Sequence, residues 1–261
     1  MKIIINADDF GTSHSTDEAI IQTFSSDALS STTIVANGAS FESACQRAHD
    51  EKLLDRVGIH INLTDGLPLT DGIRKCPRFC DDSGCFLPKK LTLSRLLLPM
   101  HADEKLALVC EVKAQIHRCR QHGLPLTHAD SHNHVHTEIM IGTLIMDVLK
   151  EEAIPYLRLT RNIGGNMSMA KKAYKHLFNG ILSSKGLRGV SYFGEYSDLI
   201  GIYRDGGNRT GSTEIMCHPV LGENGSVLDL CGSSIHHLFK ELRELIPDMQ
   251  LTTYRQAYLA G

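Results

Sequence analysis

Lys2-Ile3-Ile4-Ile5-Asn6-Ala7-Asp8-Asp9-Phe10-Gly11 decides how this chain is read. The apolar run suits a buried strand, and two adjacent carboxylates stand where that strand ends. A strand interior would not tolerate them unpaired, because buried charge is costly. At the C-terminal end of a strand in an α/β fold they would line the usual place of an active site. Successive residues of an extended chain point opposite ways. One carboxylate is therefore free to hold a metal while its neighbour does proton chemistry. Alone, the pair would favour a loop with an Asp capping the next helix.

Working outward, strand-like and helix-like stretches alternate. Strands are expected at 2–7, 32–36, 57–63, 125–131, 155–160, 188–193, 213–217 and 249–254. Helices are expected at 15–26, 41–52, 103–122, 138–151, 168–184 and 233–246. In the helix at 103–122, Leu106, Val109, Val112 and Ile116 form the stripe, Asp103 stands at the cap and Gly123 ends it. Repeated βα units predict a parallel sheet, closed as a barrel or open and doubly wound. Residues 64–102 read as a long, Gly- and Pro-punctuated insertion in one catalytic domain covering 1–261.

Composition narrows the function. The chain has 261 residues, 42% hydrophobic, enough for a sizeable core. A net charge of -3 gives no basic footprint for nucleic acid. No apolar run approaches the roughly 18 residues of a membrane helix. Lys2 and a few apolar residues lead straight into Asp8, unlike a signal peptide. The eight cysteines are scattered, as reduced thiols of a cytoplasmic protein would be.

Three further clusters fall at strand ends. His60 closes Val57-Gly58-Ile59-His60-Ile61-Asn62-Leu63. In Leu126-Thr127-His128-Ala129-Asp130-Ser131-His132-Asn133-His134-Val135-His136, the residues His128, Asp130 and His132 share one face at period two. A face of that kind suits a barrel's interior near its mouth and not a core. Imidazole is the commonest protein ligand for Zn²⁺ and its neighbours. An Asp and two His from different strand ends would leave metal positions open, the catalytic arrangement. Glu214-Ile215-Met216-Cys217-His218-Pro219 ends in a histidine fixed before a proline, suited to a general acid. Each cluster taken singly also fits a structural role; together they favour a metal site.

These four blocks, in this order and spanning nearly the whole chain, resemble the signature blocks of the YdjC-type carbohydrate deacetylases, which include the chitooligosaccharide deacetylases. The resemblance implies a distorted (β/α) barrel of the glycoside hydrolase/deacetylase type. It implies a carbohydrate N-deacetylase, a metal-dependent hydrolase removing acetyl from N-acetylated sugars such as chitooligosaccharides. By position, Asp9, His60 and His132 would hold one divalent metal ion, Zn²⁺ or Mg²⁺. Asp8 would be the general base and His218 the general acid. Arg158, in Leu157-Arg158-Leu159, falls where the family often has an arginine and would contact substrate. The sequence departs from the pattern at Asp17, Ala19 and Val220. The expected partner is a small carbohydrate, with neither nucleic acid nor membrane; barrels of this kind often form homodimers.

Other features carry less. Cys76, Cys80 and Cys85 do not match a zinc-knuckle spacing. Phe79, Phe86 and Leu87 would line a sugar cleft or simply pack the insertion. Lys171, Lys172 and Lys175 read as a solvated helix face. The rival functions are hydrolysis of another amide or ester on the same barrel, two-carboxylate glycoside hydrolysis, and non-catalytic sugar or metal binding.

Overall fold

The computed structural model describes residues 1–89, 99–164 and 167–258. The insertion expected at 64–102 therefore lies partly outside the described residues.

Strand β1 (Lys2–Phe10) is the centre of the fold. Ile3, Ile4, Ile5 and Ala7 are wholly buried, as the apolar run requires of a strand covered on both faces. Helix α1 (His14–Ser25) follows, capped by the Ser13 hydroxyl accepting from the Thr16 N–H. Next come β2 (Ser31–Ile34), α2 (Phe41–Asp50), β3 (Val57–Ile61), the short α3 (Asp71–Arg74) and α4 (Ala102–Gln121). Strand β4 (Ala129–Ser131) runs into a 3₁₀ segment (His132–Thr137) and then α5 (Ile139–Glu151) and α6 (Met169–Ser184). The rest is β5 (Tyr192–Glu195), α7 (Tyr196–Arg204), β6 (Ser212–Cys217), the hairpin β7 (Pro219–Leu221) and β8 (Val227–Asp229), α8 (Ile235–Leu245), β9 (Gln250–Leu251) and α9 (Tyr254–Tyr258).

The main sheet is parallel in the order β4-β3-β2-β1-β6-β5, with β9 against the start of β1. Single bridges from Ala129 to Leu157 and from Tyr156 to Arg188 carry it from β4 toward β5. The sheet thus curls into a half-barrel wrapped by helices, a distorted (β/α) barrel. The strand expected at 155–160 is reduced to those bridges, because Pro155 removes a donor beside them. The strand expected at 249–254 shrinks to two residues before α9.

Two glycines let backbones approach. A Cβ on Gly58 would stand 2.6 Å from the His128 carbonyl oxygen, so β3 and β4 can meet only with glycine there. A Cβ on Gly38 would stand 2.1 Å from the Gly11 carbonyl oxygen, just past the Asp8-Asp9 pair. Phe79, Phe86 and Leu87 are buried in the core, so they pack the insertion and line no sugar cleft. At α4 the capping residue is His101, not Asp103, and its N–H donates to the Glu104 carboxylate at 2.7 Å.

Candidate active site

The carboxyl ends of β1, β3, β4 and β6 gather the polar clusters at one mouth. A bulge between Ala7 and Phe10 shifts the register of β1, and Asp9 takes a φ of 70°. That left-handed turn aims the two carboxylates apart, and a non-glycine residue held there is a mark of a functional site. The Gly11 N–H donates to the buried Asp17 carboxylate at 2.7 Å, so Asp17 braces this turn.

Asp9 faces two imidazoles. Its Oδ1 lies 3.2 Å from His60 Nε2 and 2.9 Å from His132 Nδ1. Asp9, His60 and His132 can each offer a ligand atom, all within 4.8 Å of one another. On the far side of His60, Nδ1 donates to Asp130 Oδ1 at 2.6 Å. Asp130 also accepts from the Thr33 hydroxyl at 3.0 Å and from Arg158 Nη1 at 2.7 Å. Burial alone would lower the His60 pKa, but Asp130 and Asp9 outweigh it and push it up to about 10. Burial likewise opposes ionisation of Asp9, and the two imidazoles hold its carboxyl below the ordinary range.

This arrangement fits a divalent metal. Both ring nitrogens of His60 face carboxylates, so without an ion a proton must occupy Nε2 as well as Nδ1. A cation in place of that proton would meet one carboxylate and two imidazoles. Asp130 would fix the tautomer of His60 from behind, as partners of metal-bound histidines do. A second cluster, Asp8 with His60 and Asp130, is fully buried, and there the Arg158 guanidinium already supplies the cation.

Asp8 is 1% exposed. Arg158 Nη1 donates to its Oδ2 at 2.6 Å and Nη2 to its Oδ1 at 2.7 Å, while Asn6 Nδ2 donates to Oδ1 at 2.9 Å. Burial would raise its pKa; the guanidinium outweighs this and holds the carboxyl well below the usual carboxylate range. His218 Nε2 lies 3.9 Å from Asp8 Oδ2 with its side chain 27% exposed. Its backbone N–H donates to Asp229 Oδ1 at 2.7 Å, so β8 of the hairpin fixes its position.

Arg158 is wholly buried and also donates Nε to Glu214 Oε1 at 2.6 Å. The expected substrate contact at Arg158 does not agree with this burial: its donors are spent on Asp8, Asp130 and Glu214. The expected single polar face also divides. His132 reaches the mouth, whereas Asp130 stands behind His60, and His128 stacks on Tyr254 with ring centroids 3.8 Å apart. The barrel interior is itself a buried polar layer, in which Asn6, Thr33, His60, His128, Asp130, Arg158 and Glu214 are linked by hydrogen bonds, with Glu214 Oε2 left without one among the described residues.

Sequence reasoning set Asp130 on a polar face near the mouth but gave it no partner, and gave no role to Asn6, Thr33, Glu214 or the β7–β8 hairpin. The hairpin had a signal: Asn224-Gly225 between Val220-Leu221 and Val227-Leu228 is a hairpin turn pattern. Asn6, Thr33 and Glu214 had none, since the partners of a polar residue inside a strand come from other strands. A glycosidase pair finds no support here, because both Asp8 oxygens receive Arg158 and Asp9 faces two imidazoles.

The profile of the YdjC-like protein family matches residues 2–245. This chain belongs to the YdjC-like family. A protein of Halalkalibacterium halodurans named carbohydrate deacetylase is 30% identical over 219 residues, covering 84% of this chain and 85% of its own. One of the same name from Clostridium beijerinckii is 30% identical over 220 residues, covering 84% and 81%. Among solved structures, a protein of Enterococcus faecalis V583, described provisionally as a cellobiose-phosphate cleavage protein, aligns with a TM-score of 0.73. It is 21% identical and covers 98% of each chain, a likeness of fold. A lactam utilization protein of Thermus thermophilus aligns at 0.52 with 14% identity, covering 97% of this chain and 100% of its own.

Proposed function

We propose that this YdjC-like chain is a metal-dependent carbohydrate N-deacetylase. It hydrolyses the acetamide of N-acetylated sugars, N-acetylglucosamine oligosaccharides among them, to acetate and a free amino sugar. The observation that carries this reading is the Asp9–His60–His132 cluster opening beside the Asp8–His218 pair, which lie 3.9 Å apart. The names of the relatives support the substrate class.

Asp9, His60 and His132 hold the divalent ion in this reading. When bound, the ion supplies a Lewis acid for the acetamide carbonyl and acidifies a water. Asp8 would take the proton of the attacking water at Oδ2 as the oxygen–carbon bond forms. His218, on the open side, gives a proton to the nitrogen as the carbon–nitrogen bond breaks. Arg158 positions Asp8 and favours its ionised form in the resting site. Asp130 holds the His60 ring with Nε2 toward Asp9, where it would be a ligand for the ion.

The test is mass spectrometry and acetate release on N-acetylglucosamine oligomers with Zn²⁺ or Mg²⁺ and with chelator. Loss of acetyl groups that chelation stops, and that Asp8→Asn and His132→Ala abolish, is the expected result. Unaltered substrate under all metals, or full activity in either variant, overturns it.

A further inference from the structure

Helix α4 buries two polar side chains among its apolar ones. Leu108, Val112, Ile116 and Cys119 face inward, and Glu111 and Gln115, one turn apart, are wholly buried with them. Apolar residues would seal this face at less cost, because a buried carboxylate needs donors to satisfy it. Neither residue has a part in the chemistry proposed above.

Both reach the chain that leaves β3 after His60. Gln115 forms a two-way pair with the Asn62 backbone: the Asn62 N–H donates to Oε1 at 3.0 Å, and Nε2 donates to the Asn62 carbonyl at 2.7 Å. Glu111 Oε1 accepts from the Leu69 N–H at 3.0 Å and from Gln115 Nε2 at 2.9 Å. Its Oε2 accepts from the N–H and from the hydroxyl of Thr70, both at 2.8 Å. One helix thus pins both ends of the loop from Asn62 to Thr70.

Between the pins, every carbonyl from Asp65 to Pro68 is also held. Asp65 accepts from Asn62 Nδ2 at 2.8 Å, and Gly66 from the Phe86 N–H at 2.8 Å. Leu67 accepts from Asn37 Nδ2 at 2.9 Å, and Pro68 from Arg74 Nη2 at 3.2 Å. Gly66 makes the turn at a φ of 69°, which glycine adopts without strain. A loop fixed at this many points is a rigid wall. Asp65, Gly66 and Leu67 of this wall line a cleft of about 390 Å³ whose lining includes His132. Leu67 stands 52% exposed. Buried polar groups therefore hold an apolar side chain in the open, in a cleft that reaches the candidate metal cluster.

We propose that Leu67 is a substrate contact, packing on the C–H face of a sugar ring, and that Glu111 and Gln115 are positioning residues that set substrate affinity through it. The proposal rests on the deacetylase reading for the identity of the sugar. A contact ordered before the sugar arrives adds affinity without the cost of ordering it on binding.

Steady-state acetate release from N,N′-diacetylchitobiose by the full, metal-loaded chain tests it, beside titration calorimetry with the same sugar. Leu67→Ala is expected to raise KM about tenfold with kcat unchanged, since the contact is the same in ground and transition states. Glu111→Ala should raise KM in the same way, and Glu111→Gln, which keeps one oxygen for the loop, should raise it less. The double variant Leu67→Ala/Glu111→Ala should be no worse than the weaker-binding single variant, because both changes remove one contact. A purely structural Glu111 would lower the melting temperature without this KM pattern. If Glu111→Ala does not fold, Glu111→Gln takes its place in the cycle, and its smaller rise in KM should vanish in the Leu67→Ala background. Unchanged KM in Leu67→Ala, a fall in kcat at constant KM in the Glu111 variants, or additive effects in the double variant overturns the proposal. Calorimetry keeps the two ideas apart. Weaker sugar binding in the Leu67 and Glu111 variants, without acetate release under any metal, sinks the deacetylase reading alone. Acetate release with KM unchanged in every variant sinks the role of the wall alone. An unaltered chain that neither binds nor cleaves the sugar sinks both.

Discussion

The Asp8 carboxylate receives both terminal nitrogens of Arg158, at 2.6 and 2.7 Å, in the wholly buried floor of the site. A carboxylate held this way cannot rotate and stays ionised, but it is a weak base. Its usefulness to a reaction then depends on placement more than on basicity. Glu214 and Asp130 share the same guanidinium, so three carboxylates depend on one cation.

From that dependence, Arg158→Met should destabilise the fold by about 3–5 kcal/mol, because it strands buried charge. Arg158→Lys keeps a charge but loses the paired geometry. If Arg158 positions Asp8, that variant should lower kcat about a hundredfold with KM little changed. A rise in KM at constant kcat would restore the substrate-contact role. Urea unfolding and steady-state acetate release give both readouts.

Asp130 touches His60 and no open part of the site. Asp130→Asn removes the charge behind the imidazole while keeping its shape. Divalent-metal affinity should fall about 10–100-fold, the usual effect of losing such a partner. Calorimetry with Zn²⁺ measures it directly, and unchanged affinity would remove Asp130 from the metal site.

Much of this was legible in the sequence. Asp8-Asp9 after an apolar run, His60 at a strand end and His218 before Pro219 located the mouth of the barrel, because charges after buried strands must be placed somewhere useful. What the strands do inside the barrel was hidden. His128, Asp130 and His132 alternate as if on one wetted face, yet only His132 reaches the opening. Period two fixes which side a residue takes, and says nothing about depth. Arg158 was noticed by position and misjudged in role, because an arginine's reach is long and its partners, Asp8, Asp130 and Glu214, come from three other strands. Of the lysines of α6 expected on a solvated face, Lys171 and Lys172 are exposed and Lys175 is half-buried, because helical spacing shows a face and not what lies under it.

His218 is held from outside the main sheet. Its N–H donates to Asp229 on β8, and the turn of that hairpin carries Asn224-Gly225. Asp229→Ala should loosen the histidine while leaving the metal cluster intact. A drop in kcat of about tenfold or more, with unchanged metal affinity, is expected, since acid–base groups contribute roughly 10²–10⁴-fold when well placed. Equal activity in Asp229→Ala and the unaltered protein would show that His218 needs no such support.

The histidines of the interior also make stability depend on pH, with opposite signs. His128 and His136 are wholly buried, and desolvation first, then the nearby positive charge, drives both well below the ordinary value. They stay neutral in the fold and protonate in the unfolded chain below a pH of about 6.5. The unfolded state then binds more protons, so stability falls as pH drops, by up to about 1.4 kcal/mol per unit for each. His60 in the metal-free protein behaves the other way. Burial would lower it, but Asp130 and Asp9 raise it to about 10. Its contribution is fully present below the unfolded value and is lost as pH rises through about 10. The metal-free protein should therefore be most stable near a pH of about 6.5, from these groups taken together. A divalent ion in place of the Nε2 proton should flatten the alkaline side, and it should steepen the acid side because protons then compete with the ion for His60. Urea midpoints at several pH values, with chelator and with Zn²⁺, measure both limbs. An alkaline limb that Zn²⁺ leaves untouched would mean that His60 is not a ligand.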